Sequence, residues 1–289
     1  MTATPDLAPA ARPARPSRRT LGSPLIVGAC LVGFVVLVAL VSLVWTPMDP
    51  VATDAVNRLQ PPSSEHWFGT DGLGRDIASQ TMAGARVPLL VGAVAVTLSF
   101  LLGVPYGILA AMTDRGTGRW LMRWNDIVQA FPPLLLAIIL AAVFGGGTAT
   151  AMVALGVGAA PGVARIVRSG TRQVLSREYA LAARAAGRGP LYTAVRHVLP
   201  NIRGVLIVQA SVGFAIAVLA EAALSFLGLG TPAPTQSWGR MLQESQAFLY
   251  VQPLVILWPG LAVAITVFGF NLLGDGLRDR YDPRMEVSR

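Results

Sequence analysis

Five long apolar stretches of this chain carry no charged residue: 25–45, 87–112, 127–164, 204–220 and 245–274. About 20 uncharged residues is the length a helix needs to cross the hydrocarbon core of a bilayer. Inside that core only helices and closed barrels satisfy their own backbone. The stretch 127–164 is long enough for two crossings and is interrupted by Gly145-Gly146-Gly147, so it reads as two helices joined by a tight turn. The expected fold is therefore an all-α polytopic membrane protein with six transmembrane helices, at about 25–45, 87–112, 127–144, 148–164, 204–224 and 252–274. Together they define a membrane domain over 24–276. Composition agrees: 53% of residues are hydrophobic and 13% charged, the latter about half the share usual in soluble domains.

Outside the spans, residues 1–23 are rich in Pro, Ala and Arg and read as a disordered arm, and 277–289 reads as a charged tail. Ser17-Arg18-Arg19-Thr20-Leu21 looks like a twin-arginine export signal. The apolar run after it is too long for a signal core and has no small-residue cleavage site, so a first anchored helix is expected instead. Cys30 is the single cysteine, which excludes an intrachain disulfide. All 23 basic residues are arginines. With six spans, 19 of them fall on the side of the arm, the 113–126 loop, the segment 165–203 and the tail. That excess marks the cytoplasmic side. Both termini and the 165–203 loop are thus expected in the cytoplasm, and the long loop 46–86 outside.

The most distinctive polar segment is Arg177–Asn201, which breaks into two short helices. Ser176 is the expected N-cap of the first, Glu178 lies in its first turn and Arg184 in its last. Gly187 suits a left-handed C′ position, and Gly189-Pro190 stops continuation. Tyr179, Ala182, Ala183 and Ala186 follow helical spacing, while Arg177, Arg184 and Arg188 share another face. In the second helix Leu191, Ala194, Val195, Val198 and Leu199 repeat the apolar stripe, leaving Arg196 and His197 polar, and Pro200 is expected to end it. Small and basic residues outside make a surface suited to docking.

Chemistry within the chain is restricted. The two histidines, His66 and His197, are assigned to opposite sides of the membrane, so no metal-spaced cluster and no Ser/His/Asp set forms. A phosphate-binding loop needs a lysine after its glycine-rich turn. This chain has no lysine. It is expected to be no enzyme and to bind no cofactor or metal, with any ATP hydrolysis carried out by another polypeptide.

Residues 181–200, with Ala182-Ala183, Gly187 and Leu199-Pro200 in register, resemble the cytoplasmic "EAA" loop of ABC importer permeases. The strings EYALAARAAGRG…RHVLPN, HWFGTDGLGRD (66–76), NDIVQAFPPLLLAI (125–138), AEAALSFLGLG (220–230) and NLLGDGLRDRYDPR (271–284) are similar to the dipeptide/oligopeptide/nickel branch of that family, in particular its second permease subunit. Leu181 stands where the EAA triplet has glutamate, with Glu178 nearby. The resemblance implies a permease of a bacterial cytoplasmic (inner) membrane. It implies pairing with a second homologous permease, two cytoplasmic ATPase subunits holding ATP and Mg, and an extracytoplasmic solute-binding protein. It also implies that Glu178, Tyr179, Ala182, Ala183, Arg184, Gly187, Arg196, His197, Leu199 and Pro200 form the loop that couples to the ATPases. Peptides are the implied cargo, with a nickel chelate or another small solute as alternatives.

Single residues carry weaker signals. Glu221, near a membrane boundary, either lines the path or is an outer-surface carboxylate in water. Asn271 either lines the path or hydrogen-bonds a neighbouring helix. Asp71, Arg75 and Asp76 either meet the binding protein or form a local salt bridge. Trp45, Trp67, Trp238 and Trp258 suit interfacial positions. Two other classes were weighed. A secondary transporter needs charge in mid-membrane, and 127–164 has none. Alternatively the arginine segment binds membrane lipid or nucleic acid; the resemblance favours the lipid as neighbour and no nucleic acid.

Overall fold

The computed structural model describes residues 23–281, so the arm before Ser23, the twin-arginine fragment within it and the tail beyond Tyr281 lie outside it. The helices are α1 (Ser23–Ser42), α2 (Ile77–Gly84), α3 (Arg86–Met112), α4 (Arg115–Gln129), α5 (Pro133–Phe144), α6 (Thr148–Leu175), α7 (Glu178–Ala185), α8 (Pro190–Thr193), α9 (Leu199–Phe226), α10 (Trp238–Ser245) and α11 (Leu254–Tyr281). Among the described residues no strand forms beyond one isolated bridge, Thr70 to Asp76.

Five helices are long and apolar enough to cross a membrane, and α4 with α5 supplies a sixth only as a pair bent by 73°. The expected straight span 127–144 is therefore corrected. Phe131-Pro132-Pro133 interrupts it, because neither proline has an N–H to donate and each disfavours helix at the residue before it. Two further boundaries shift. The fourth span does not stop at Ala164 but runs as α6 to Leu175, and the last helix runs past 274 to Tyr281. Charge ends an apolar run, but it does not end a helix made of good helix formers. Arg165, Arg168 and Arg172, expected in the 165–203 loop, thus stand on α6.

Small residues set the packing. α3 and α6 run parallel and close. Gly103 faces the Ala160 carbonyl and Val163, and Gly107, one turn on, faces the Ala164 carbonyl and Val167. A Cβ on Gly103 would sit 2.6 Å from the Ala160 oxygen, so only glycine permits this approach. Lipid tails give helices no hydrophobic reason to associate, and close backbone contact of this kind supplies the attraction instead. α1 and α11 pack antiparallel, with Gly28 against Leu273 and Gly276 against Leu25. The bundle has an arginine-rich end, where α3 and α6 finish, and a loop end. At the arginine-rich end Val163, Val167, Val174, Leu175, Val198 and Ile202 form one buried cluster.

Candidate functional site

At the arginine-rich end the chain leaves α6, forms a short hook and returns as α9. Ser176 does not cap α7 as expected. It ends α6, its hydroxyl donating to the Gln173 carbonyl at 2.9 Å, and extended Arg177 begins α7 without a side-chain cap. The far end of α7 follows the sequence reading. Gly187 has φ +71°, its N–H donates to Arg184 O at 2.9 Å, and Arg188 N–H donates to Ala183 O at 3.1 Å. That is a Schellman closure, and the positive φ is what the glycine supplies. Gly189 is then extended and Pro190 opens α8.

Pro200 does not end the second helix. Residues Ala194–Val198 form one π-helical turn, with Leu199 N–H donating to Ala194 O, and α9 continues straight through Pro200. The wider turn shifts the hydrogen-bond register by one residue, so the missing proline N–H and its ring bulk are absorbed at the first turn of α9. From Pro190 onward the hook is consequently one continuous helix with α9, while α7 stands apart before the Gly187 turn.

The apolar stripes are largely turned outward. Only Ala180 of α7 is buried, with Ala183 half-buried, whereas Tyr179, Ala182 and Ala186 are exposed. In the second arm Thr193, Ala194 and Val198 face the bundle, while Leu191, Tyr192 and Val195 are exposed and Leu199 half-buried. Leu181, at the EAA glutamate position, also faces out. His197 lies between Tyr179 and Tyr192, with ring centroids at 5.7 and 5.8 Å, and the Arg188 guanidinium sits 5.0 Å from the Tyr192 ring centroid. Glu178, Arg184 and Arg196 form no ion pair among the described residues. The hook therefore shows small, aromatic and cationic groups, and its charged side chains find no ion-pair partner among the described residues.

The loop end is built the opposite way. Asp71, Arg75 and Asp76 are all buried. Arg75 Nε donates to Asp71 Oδ2 at 2.7 Å and its Nη2 to Glu244, while Gln80 Nε2 donates to Asp71 at 3.0 Å. Burial opposes the Arg75 charge, but Asp71 and Glu244 outweigh it and hold its pKa above the usual value. Asp76 caps α2, accepting from Ser79 N–H at 2.8 Å and its hydroxyl at 2.6 Å, and meets His66 Nδ1 at 3.1 Å. These three residues thus form a local ion-pair and capping network beneath the loop-end surface rather than exposed on it. Glu244 was missed, although it is the only carboxylate between Glu221 and Asp275. Trp238, expected at a membrane interface, is instead 2% exposed, its Nε1 donating to Thr81 O at 2.9 Å. Trp258 stacks on Phe68 at 4.0 Å, and Trp45 and Trp67 are exposed.

Glu221 is 1% exposed, so it is not a hydrated surface carboxylate. Its Oε1 accepts from Ser225 Oγ at 2.7 Å and Thr231 Oγ1 at 3.3 Å. Asn271 is exposed on α11, and among the described residues nothing hydrogen-bonds its side chain. The structure does not bring Glu221 and Asn271 together at one surface of the chain.

Comparison with known proteins places this architecture in a class. The fold is shared with membrane subunits of ABC transporters. It matches a chain of the methionine transporter MetNI in inward-facing conformations (TM-score 0.57, 21% identity, 70% of this chain and 96% of that one). It also matches a chain of an amino acid ABC transporter crystallised with histidines (TM-score 0.54, 17% identity, 70% and 94%). The family described as "Binding-protein-dependent transport system inner membrane component" matches residues 103–287, and the chain belongs to it. Among curated relatives, the dipeptide transport system permease protein DppC of Alkalihalophilus pseudofirmus is 41% identical, over 90% of this chain and 86% of that protein. The oligopeptide transport system permease protein OppC of Bacillus subtilis is 37% identical over 90% and 85%.

Proposed function

We propose that this permease carries dipeptides or short oligopeptides inward as one of two membrane subunits of an ATP-driven importer. Support comes chiefly from 41% identity with a dipeptide permease along 90% of the chain. The hook would lie in the cytoplasm and dock, through Tyr179, Ala182, Ala183, Ala186, Gly187 and the flanking arginines, on an ATPase subunit that holds ATP and Mg. Since α8, the π turn and α9 are continuous, a push on the hook moves the fifth span as a lever, and alternating access follows. A solute-binding protein would deliver cargo at the loop end, and a second homologous permease would complete the path. Glu221 and Asn271 are the path candidates. Both termini would be cytoplasmic.

Uptake of a labelled dipeptide by cells with and without this gene tests the cargo. Uptake should fall to background on deletion and return with the gene; unchanged uptake would overturn the peptide reading, and loss of nickel uptake alone would favour the chelate. Sidedness is read in a Cys30→Ser background. An impermeant thiol reagent on intact cells should label Ser63→Cys and Thr235→Cys, both exposed at the loop end, but not Gly189→Cys.

A further inference from the structure

The helix α4 is used by none of this. Its Gly118, Met122 and Asn125 face is buried against the bundle, with Asn125 Nδ2 donating to Pro161 O at 3.1 Å and the Tyr106 hydroxyl donating to Leu121 O at 2.5 Å. On the opposite face Trp120 and Trp124 are 63% and 64% exposed, and Ile127 and Phe131 continue the stripe. Arg115, Arg119 and Arg123, four residues apart, run exposed along one flank. None of the three pairs with a carboxylate among the described residues; Asp126 in their midst is taken by Arg165 at 2.7 Å. Arg123 lies 5.2 Å from the Trp120 ring centroid.

Length sets the orientation. α5 has 12 residues, about 18 Å of helix, against a hydrocarbon core of about 30 Å. Bent by 73° from α5, the 15-residue α4 adds only about 7 Å along that axis and otherwise runs sideways. A sideways helix at the arginine-rich end, with an aromatic stripe and a cationic flank, lies in the plane of the bilayer interface.

We propose that α4 is an interfacial helix that binds anionic phospholipid headgroups of the leaflet at the arginine-rich end, through Arg115, Arg119 and Arg123, with Trp120 and Trp124 immersed beneath them. Lipid is favoured over a protein partner because the aromatic stripe runs on through Ile127 and Phe131 into the uncharged helix α5, as a surface entering hydrocarbon does.

The test uses the chain in the assembly it forms in its native membrane, reconstituted in phosphatidylcholine with a minority of either brominated phosphatidylglycerol or brominated phosphatidylcholine. Trp120→Phe/Trp124→Phe run in parallel isolates the emission of the two tryptophans. Both lipids should quench that difference signal, phosphatidylglycerol at least about twofold more at low salt, since one arginine at such a surface can supply up to roughly fivefold. Arg115→Gln/Arg119→Gln/Arg123→Gln should abolish the excess and Arg115→Lys/Arg119→Lys/Arg123→Lys should keep it. Equal quenching by the two lipids would overturn headgroup recognition. Absence of quenching would show the stripe covered by another subunit and overturn the proposal altogether.

Discussion

The two ends of the bundle use the same residue types in opposite ways. At the loop end, charges from distant parts of the sequence are buried against one another: Arg75 bonds Asp71 four residues away and Glu244 across the fold. At the hook, Glu178, Arg184 and Arg196 stand exposed and unpaired among the described residues. One end pairs its buried charges Arg75, Asp71 and Glu244 within the fold and forms a cap. The other leaves its charges for something outside the chain, which is what a docking element requires. A count of charges cannot tell these uses apart; burial can.

The largest effect is expected where the cap is broken. Arg75→Ala strips the cation from buried Asp71, while Glu244 keeps Arg240, and breaking a buried pair this way costs about 3–5 kcal/mol. Arg184→Ala, the same change at the exposed hook, should stay within about 0.5 kcal/mol. Denaturation of the purified chain in detergent reads both, and equal losses would erase the contrast between the ends. The pKa of Arg75 is raised, so its contribution is complete below the ordinary arginine range and lost only as pH rises through its folded value. No loss is expected at neutral or acidic pH from that group.

Next comes Glu221→Ala, which leaves the Ser225 and Thr231 hydroxyls without their acceptor in a buried site. About 1–3 kcal/mol is expected. Glu221→Gln keeps an acceptor oxygen and should lose clearly less in the same assay; equal losses would mean that charge, not hydrogen bonding, holds this end.

Gly187→Leu should cost the chain about 1–2 kcal/mol through its positive φ alone, since a Cβ there meets nothing within 4 Å. Its consequence for transport should be far larger than for folding: normal membrane abundance, weakened ATPase co-purification and lost uptake. Gly187→Asn, which tolerates the left-handed region, should retain most uptake. Wild-type transport by Gly187→Leu would remove the hook from the coupling role.

The smallest effect concerns Asp114, which caps α4 by accepting from Thr117 N–H at 2.9 Å. Bonding to Thr117 holds its pKa below the usual carboxylate value. Its contribution is therefore present above about pH 4 and fades as pH falls through the lowered value. Protection of the amides at 115–118, taken relative to their intrinsic exchange rate at each pH, should fall in acid for the wild type and already be low at neutral pH in Asp114→Ala.

Much of the fold was legible because membranes impose a local rule. A spanning helix needs about 20 predominantly apolar residues, and the spans expected from 25, 87, 204 and 252 each coincide with a helix, although the last runs on to Tyr281. The Gly187 turn was equally readable, since a Schellman closure depends only on its immediate neighbours. Other features needed the third dimension. Helices continue past charges, so α6 reaches Leu175; one π turn carries α9 through Pro200; and two prolines with a 73° bend leave the apolar run after α4 only the short helix α5. Whether Asp71 and Glu221 face water or protein is set outside their own turns: Asp71 shares Arg75 with Glu244 from far along the chain, and Glu221 accepts from Thr231 beyond the end of its helix. Periodicity records which residues share a face of one helix. Which face another segment covers is fixed only when the helices, joined through glycines such as Gly103 and Gly107, come together.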